Sequence, residues 1–144
     1  MNFNQSLCDF AAEVQGQPYV RPDTVCLALA FRALDAATST DFYAQCRPHI
    51  RSAASMRRYL DNAGLDGLIV KLLDSGFTEV DLQAMQPGDI GFTGGAPFGI
   101  GAVVMVGSKL LTSNPDDGVL LCSADLVVLQ RVVRFNRFVN VGVS

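Results

Sequence analysis

The sequence predicts an α+β domain in which helices fill residues 1 to about 75 and a curved, mostly antiparallel sheet fills residues from about 76 to 144. In the first half, apolar residues recur at three- and four-residue spacing, as in amphipathic helices. After Gly76 the spacing shortens, and turns containing glycine or proline separate short runs rich in valine and leucine. Such runs are typical of strands joined by hairpins.

One domain is expected over residues 1–144, because this length suits a single core. Apolar residues make up 49% of the chain and charged residues 17%, a large share of core material for a small domain. The net charge of −3 argues against a nucleic-acid binder, which would carry a basic stripe. No apolar run reaches the roughly eighteen residues of a membrane span. The first residues lack a signal segment, so synthesis in a cytoplasm is expected.

The predicted helices have recognisable end signals. Gly16-Gln17-Pro18 ends the first helix, and Asp23 is the expected N-cap of the second. Thr40 or Asp41 is expected to cap a short third segment, and Asn62-Ala63-Gly64 separates the two segments that follow. The apolar patterns cover residues 3–14, 23–37, 42–43, 56–60 and 67–73.

The predicted strands follow a Pro87-Gly88-Asp89 turn and the turns after it. Residues 126–143 are expected to add one or two strands, one of them at an edge where Arg131, Arg134 and Arg137 stay in water. The earlier strands are predicted at Phe77–Val80, Ile90–Phe92, Ala102–Val106, Lys109–Thr112 and Gly118–Cys122.

The carboxy-terminal segment also predicts a contact with another protein. Its apolar residues exceed what one buried strand face can hold, so we expect some of them to pack on a partner, with the arginines at a polar rim. Pairing of an edge strand with that partner is one way to cover them. The residues concerned are Val132, Val133, Phe135, Phe138 and Val139.

Cys26 is the candidate nucleophile. With Asp23 as N-cap it stands at the third position of a helix, where the helix dipole and unpaired amides favour the thiolate. The alternative is a small apolar residue packed on the inner helix face. His49 is the single histidine and the candidate base, or else a surface or turn residue.

Other polar clusters predict no cofactor or metal. The glycine-rich stretch at residues 93–99 lacks the lysine of a phosphate-binding loop and is expected to be a hairpin loop. Asp116, Asp117 and Asp125 lack the alternating oxygen ligands of a calcium loop, and a turn explains them. Four arginines between residues 47 and 58 form either a solvated helix face or an interface for an acidic neighbour. The four cysteines are expected to be free thiols.

These segments together resemble a family of small bacteriophage tail proteins with an NlpC-type, papain-like outline. The resemblance covers Gln17 to about Leu126, with a cysteine at a helix start, then helices, then a strand pair after a Gly-Asp turn. The matching segments are Pro18-Tyr19, Pro22-Asp23-Thr24-Val25-Cys26, Thr38-Ser39-Thr40-Asp41, Arg47-Pro48-His49-Ile50, Tyr59-Leu60-Asp61-Asn62-Ala63-Gly64, Gln86-Pro87-Gly88-Asp89 and Gly99-Ile100.

The resemblance implies a papain-like fold and a structural component of a phage tail tip or baseplate, located in the virion tail after synthesis in the host cytoplasm. Its partners would be other tail proteins: the hub, the distal tail protein and the central fibre. In NlpC-type enzymes the base is a histidine on the strand after the Pro-Gly-Asp segment, which would fall within residues 98–104 here, and these residues contain no histidine. The tail family itself often lacks the catalytic histidine. Thr24 and Val25 also separate an Asp-Cys pair that the family keeps adjacent, so an enzyme is not expected.

Two alternatives remain open. The first is an active cysteine peptidase or amidase that cleaves host peptidoglycan during genome entry. Cys26 would be its nucleophile, and His49 or a group from another chain its base. The second is an intracellular binding module of the host.

Overall fold

The computed structural model describes residues 2–94 and 101–136, with side chains except those of residues 60–63. In this part of the chain, helices precede a six-stranded antiparallel sheet, which confirms the α+β prediction and the change of period after Gly76. Predictions for Gly99-Ile100, Arg137, Phe138 and Val139 lie outside the described residues, as does most of the glycine-rich stretch at 93–99.

The four described α-helices follow the predicted order. The first confirms its prediction: the Asn2 side chain caps it by accepting the Gln5 N–H at 2.7 Å, and Leu7 and Phe10 lie on its buried face. None of the helices in the described residues is long and apolar enough to cross a membrane. The helices are α1 (Phe3–Val14), α2 (Cys26–Thr38), α3 (Phe42–Cys46) and α4 (Ala53–Asp74).

Helix α2 begins later than predicted. Its N-cap is Val25, and the prediction that Asp23 caps it is wrong. Asp23 instead lies in the preceding loop, where its carboxylate accepts the Tyr43 hydroxyl and its carbonyl accepts from Arg32 at 2.5 Å. Cys26 is therefore the first helical residue, and not the third.

Helix α3 is capped from a distance. The Asp35 carboxylate, on α2, accepts the backbone N–H groups of Phe42 and Tyr43, both at 2.9 Å. Asp41 makes no capping bond with its side chain, and Thr40 donates its hydroxyl to Asp35 at 2.7 Å. Asp41 therefore stands at the N-cap position, as predicted, but its side chain does not form the capping bond. The carboxylate of Asp35, one turn from the end of α2, accepts the N–H groups instead.

Helix α4 bends at Gly64, which has a φ of 60° and a ψ of −177°. The bend falls at the predicted break between two helical segments. Ser52 and Ser55 cap the start of α4 reciprocally, since each side chain bonds the other's backbone N–H at 3.1 Å.

The sheet has the order β1-β6-β2-β3-β4-β5, and each neighbouring pair is antiparallel. Helix α2 packs across β3 and β4, so its buried face and the centre of the sheet form the core. The strands are β1 (Phe77–Val80), β2 (Ile90–Thr93), β3 (Gly101–Val106), β4 (Lys109–Asn114), β5 (Gly118–Ser123) and β6 (Arg131–Phe135).

Strand β6 lies inside the sheet, between β1 and β2, so it is not the predicted edge strand. Residues 137–143, where the prediction allows a second strand, lie outside the described residues. Val132 and Val133 are fully buried and are not available for a partner. Phe135 packs on the ring of Phe77 at 5.4 Å between centroids. The arginines are also paired: Arg131 with Glu79 and Asp66, and Arg134 with a buried aspartate.

The Pro-Gly-Asp turn before β2 is fixed by close contacts. Gly88 has a φ of +90°, and a Cβ there would lie 2.4 Å from the Phe3 ring. Its N–H donates to the Met105 carbonyl at 2.8 Å, so the turn also bonds to β3. The positive φ favours glycine at this position, and an added Cβ would force the Phe3 ring to shift.

Candidate functional site

The loop before α2 holds Cys26 in place. Thr24 is buried, and its hydroxyl accepts the Val20 N–H at 2.6 Å and donates to the Pro18 carbonyl at 2.8 Å. The Ser113 hydroxyl on β4 donates to the Thr24 carbonyl. Hydrogen bonds within the loop and to β4 therefore hold the loop in place, which fixes the start of α2.

The Cys26 thiol faces β3. Its Sγ accepts the Ala102 N–H at 3.4 Å, and the residue is half-buried. Burial raises the pKa of the Cys26 thiol, while the N–H groups of Ala102, Leu27 and Cys26 itself act in the opposite direction. Burial is the larger effect, so the neutral thiol is favoured.

The strand beside Cys26 supplies a backbone amide. Ala102 is buried on β3, the second strand after the Pro-Gly-Asp turn. Tyr19 also lies near the thiol, and burial raises the pKa of its hydroxyl, with Arg21 acting to lower it. Among the described residues, no imidazole forms a hydrogen bond with the Cys26 sulfur.

His49 makes its contacts elsewhere. It ends a short 3₁₀ turn (Arg47–His49), is exposed, and stacks on the Tyr59 ring at 4.7 Å with 21° between the planes. It lines two cavities together with Tyr59 and Lys71, and neither of these cavities is lined by Cys26. The structure does not join the candidate nucleophile and the candidate base by a hydrogen bond.

The structure contains a buried ion pair near the Pro-Gly-Asp turn that the sequence did not predict. The Asp89 carboxylate is 2% exposed and accepts from Nε and Nη2 of Arg134, both at 2.9 Å. It also accepts the Gln86 N–H at 2.8 Å. The bond to Asp89 raises the pKa of Arg134. Because two charge-assisted bonds hold a fixed geometry, this pair anchors the turn to β6.

The other thiols and acidic residues make local contacts. Burial raises the pKa of Cys46 to about 12, whereas Cys8 is exposed. Asp116 and Asp117 belong to a turn in which their N–H groups donate to Asn114 Oδ1 at 2.9 and 2.7 Å. In residues 2–94 and 101–136, no three histidine, cysteine or acidic side chains are grouped to hold a metal ion.

These features define an α+β domain with a half-buried thiol at the start of a helix, facing the middle of an antiparallel sheet. The chain belongs to the family described as a domain of unknown function (DUF6950), whose sequence profile matches residues 1–132. None of the curated proteins matches the chain.

Proposed function

We propose that this chain is a structural component of a bacteriophage tail tip or baseplate, built on an NlpC-like domain without catalysis of its own. It docks on other tail proteins, such as the hub, the distal tail protein or the central fibre, and is carried in the virion. The support is the segment order behind the resemblance: a thiol at the start of α2, further helices, and then strands after a Pro-Gly-Asp turn.

One observation carries the non-catalytic part of the proposal: the Cys26 sulfur meets the backbone N–H of Ala102 on the strand where an NlpC-type enzyme would hold its base. A cysteine nucleophile needs an adjacent base or a lowered pKa. Here burial raises the pKa of the thiol, which leaves little thiolate at neutral pH.

The test uses the phage or prophage that encodes the chain. We expect mass spectrometry to detect the chain in purified tails, and we expect deletion of its gene to stop formation of infectious particles. Cys26→Ala and Cys26→Ser should leave the titre unchanged, because the thiol performs no chemistry. Normal infectious particles that lack the chain would refute the structural role.

The second candidate is a cysteine peptidase or amidase that cleaves host peptidoglycan. It is favoured by the backbone N–H groups of Ala102, Leu27 and Cys26, which act to lower the thiol pKa. Such amides also stabilise an oxyanion during acyl transfer. The base would then come from another chain, since His49 packs on Tyr59.

The two candidates differ in one assay. Purified peptidoglycan is incubated with whole tails, and release of soluble fragments is measured. Release that Cys26→Ser abolishes in tails of normal composition would establish the enzyme and overturn the non-catalytic proposal. Equal release by Cys26→Ser tails and unsubstituted tails would support the non-catalytic proposal.

A further inference from the structure

A groove lies at the bend of α4, in a different part of the molecule from the Cys26 thiol. We call it the α4 groove and define it by Pro48, His49, Ser55, Arg58, Tyr59 and Lys71, which line a cavity of about 350 Å³. Apart from His49, which the sequence offered as a candidate base, none of these residues has a task in the proposed structural role or in the peptidase alternative.

The bend at Gly64 creates the groove. Tyr59 and Lys71 are twelve residues apart, which would place them about 18 Å apart along a straight helix. In the bent helix the Lys71 Nζ lies 4.4 Å from the centre of the Tyr59 ring. The His49 ring also stacks on Tyr59, so the Tyr59 side chain contacts both His49 and Lys71 and joins the two sides of the groove.

The described lining of the α4 groove carries two cations and no carboxylate, in a protein whose net charge is −3. Residues 42–60 contain four arginines and His49 but no aspartate or glutamate. Arg58 and Lys71 are exposed in the groove, and neither forms a salt bridge with a carboxylate that the structure describes. Two cations that line one cavity without a carboxylate partner among the described side chains favour an anionic ligand.

A second cavity, of about 400 Å³, continues from the α4 groove and shares His49, Tyr59 and Lys71 with it. Its far side combines the apolar side chains of Phe31, Phe42 and Leu72 with polar residues, which are Gln45, Asp74 and Ser75. The combined surface therefore has a cationic end and a mainly apolar end that carries one carboxylate. A ligand that fills both needs an acidic group beside an apolar one.

We propose that the α4 groove binds an acidic peptide segment of a partner protein. A carboxylate of that segment lies between Arg58 and Lys71, and a neighbouring apolar side chain enters the cavity beside Phe31 and Phe42. Charge complementarity selects this partner, because a basic segment would be repelled by the same cations. Such a segment can bind inside or outside a virion, so failure of this binding leaves the tail-tip proposal standing.

Fluorescence anisotropy with labelled eight-residue peptides tests the proposal on the full chain. One peptide alternates glutamate and phenylalanine, the second alternates glutamate and serine, and the third alternates lysine and phenylalanine. We expect saturable binding of the first, binding at least about fivefold weaker for the second because it fills only the cationic end, and none for the third. Equal binding of the first two, or displacement of both by inorganic phosphate alone, would overturn the peptide assignment in favour of a simple anion site.

Charge-reversal variants locate the binding. Lys71→Glu and Arg58→Glu should each weaken the first peptide by at least about tenfold, since each replaces an attraction with a repulsion. The matched control is Lys109→Glu, an exposed position on β4 with the same change of charge, which should alter affinity less than about twofold. Circular dichroism checks that each variant is folded, and Arg58→Gln provides a milder second variant. Equal weakening by Lys71→Glu and Lys109→Glu would show that binding follows net charge and would refute the proposal.

Discussion

Loss of the Arg134 guanidinium should destabilise the fold, because Asp89 would be left as a buried carboxylate with one remaining donor. Arg134→Met removes two bonds of 2.9 Å and leaves only the Gln86 N–H on a group that is 2% exposed. Breaking a buried ion pair in this way costs about 3–5 kcal/mol. Since the Arg134 side chain is 35% exposed, water can reach the site, and we expect about 2–4 kcal/mol.

Arg131 on the same strand is the matched control. Its partners, Glu79 and Asp66, are 38% and 93% exposed, so Arg131→Met should cost only about 0.5–1 kcal/mol. Urea denaturation followed by circular dichroism gives the free energy of unfolding of each variant.

A double-mutant cycle isolates the pair itself. In an Asp89→Asn background, where no charge is buried, Arg134→Met should cost at least about 1.5 kcal/mol less than it does in the unsubstituted protein. The bond from Arg134 to the Ala84 carbonyl, at 3.0 Å, is lost in both backgrounds and cancels. Equal costs in the two backgrounds, or a cost for Arg134→Met no larger than that for Arg131→Met, would refute the reasoning.

Two further substitutions test local features of the fold by the same denaturation measurement. Gly88→Ala should cost about 2 kcal/mol or more, because its positive φ is strained for alanine and the new Cβ meets the Phe3 ring. Gly107→Ala, with a φ of +58° and open space around the Cβ, should cost only the backbone strain of about 1 kcal/mol. Equal costs would show that the Phe3 contact does not affect stability. Asp35→Ala should cost about 1–2 kcal/mol, because it leaves two N–H groups at the start of α3 without their acceptor. Asp41→Ala should cost less than about 0.5 kcal/mol, because the Asp41 side chain makes no capping bond. The reverse order would show that the Asp41 side chain is the capping acceptor.

Local patterns in the sequence predicted most of the elements. The apolar repeat and the Gly16-Gln17-Pro18 stop set both ends of α1, and the strands β1 to β5 fall within about two residues of their predicted bounds. The break at Gly64 was also visible, because glycine between apolar segments weakens a helix. Each of these features depends on residues that are close together in the chain.

The sequence did not predict contacts between residues that are far apart in the chain. Nothing near Arg134 shows that β6 inserts between β1 and β2, because the partner of that arginine, Asp89, lies 45 positions earlier. For a similar reason, the sequence predicted Asp41 at the N-cap position of α3 but not the carboxylate that caps it, which Asp35 supplies from the preceding helix. At the candidate site, the position of Cys26 at a helix start was predicted, but its contact with Ala102 depends on a strand 76 positions away.

The most direct test of a Cys26 thiol without a base is the pH dependence of its alkylation. The folded chain is treated with iodoacetamide between pH 5 and 10, and peptide mass spectrometry follows Cys26, with exposed Cys8 as a reference for the reagent. Because burial raises the pKa of Cys26, its rate should rise about tenfold per pH unit and reach no plateau below the ordinary thiol range of about 8.5. A plateau near or below pH 7 would reveal a thiolate stabilised by a base and would contradict the non-catalytic account.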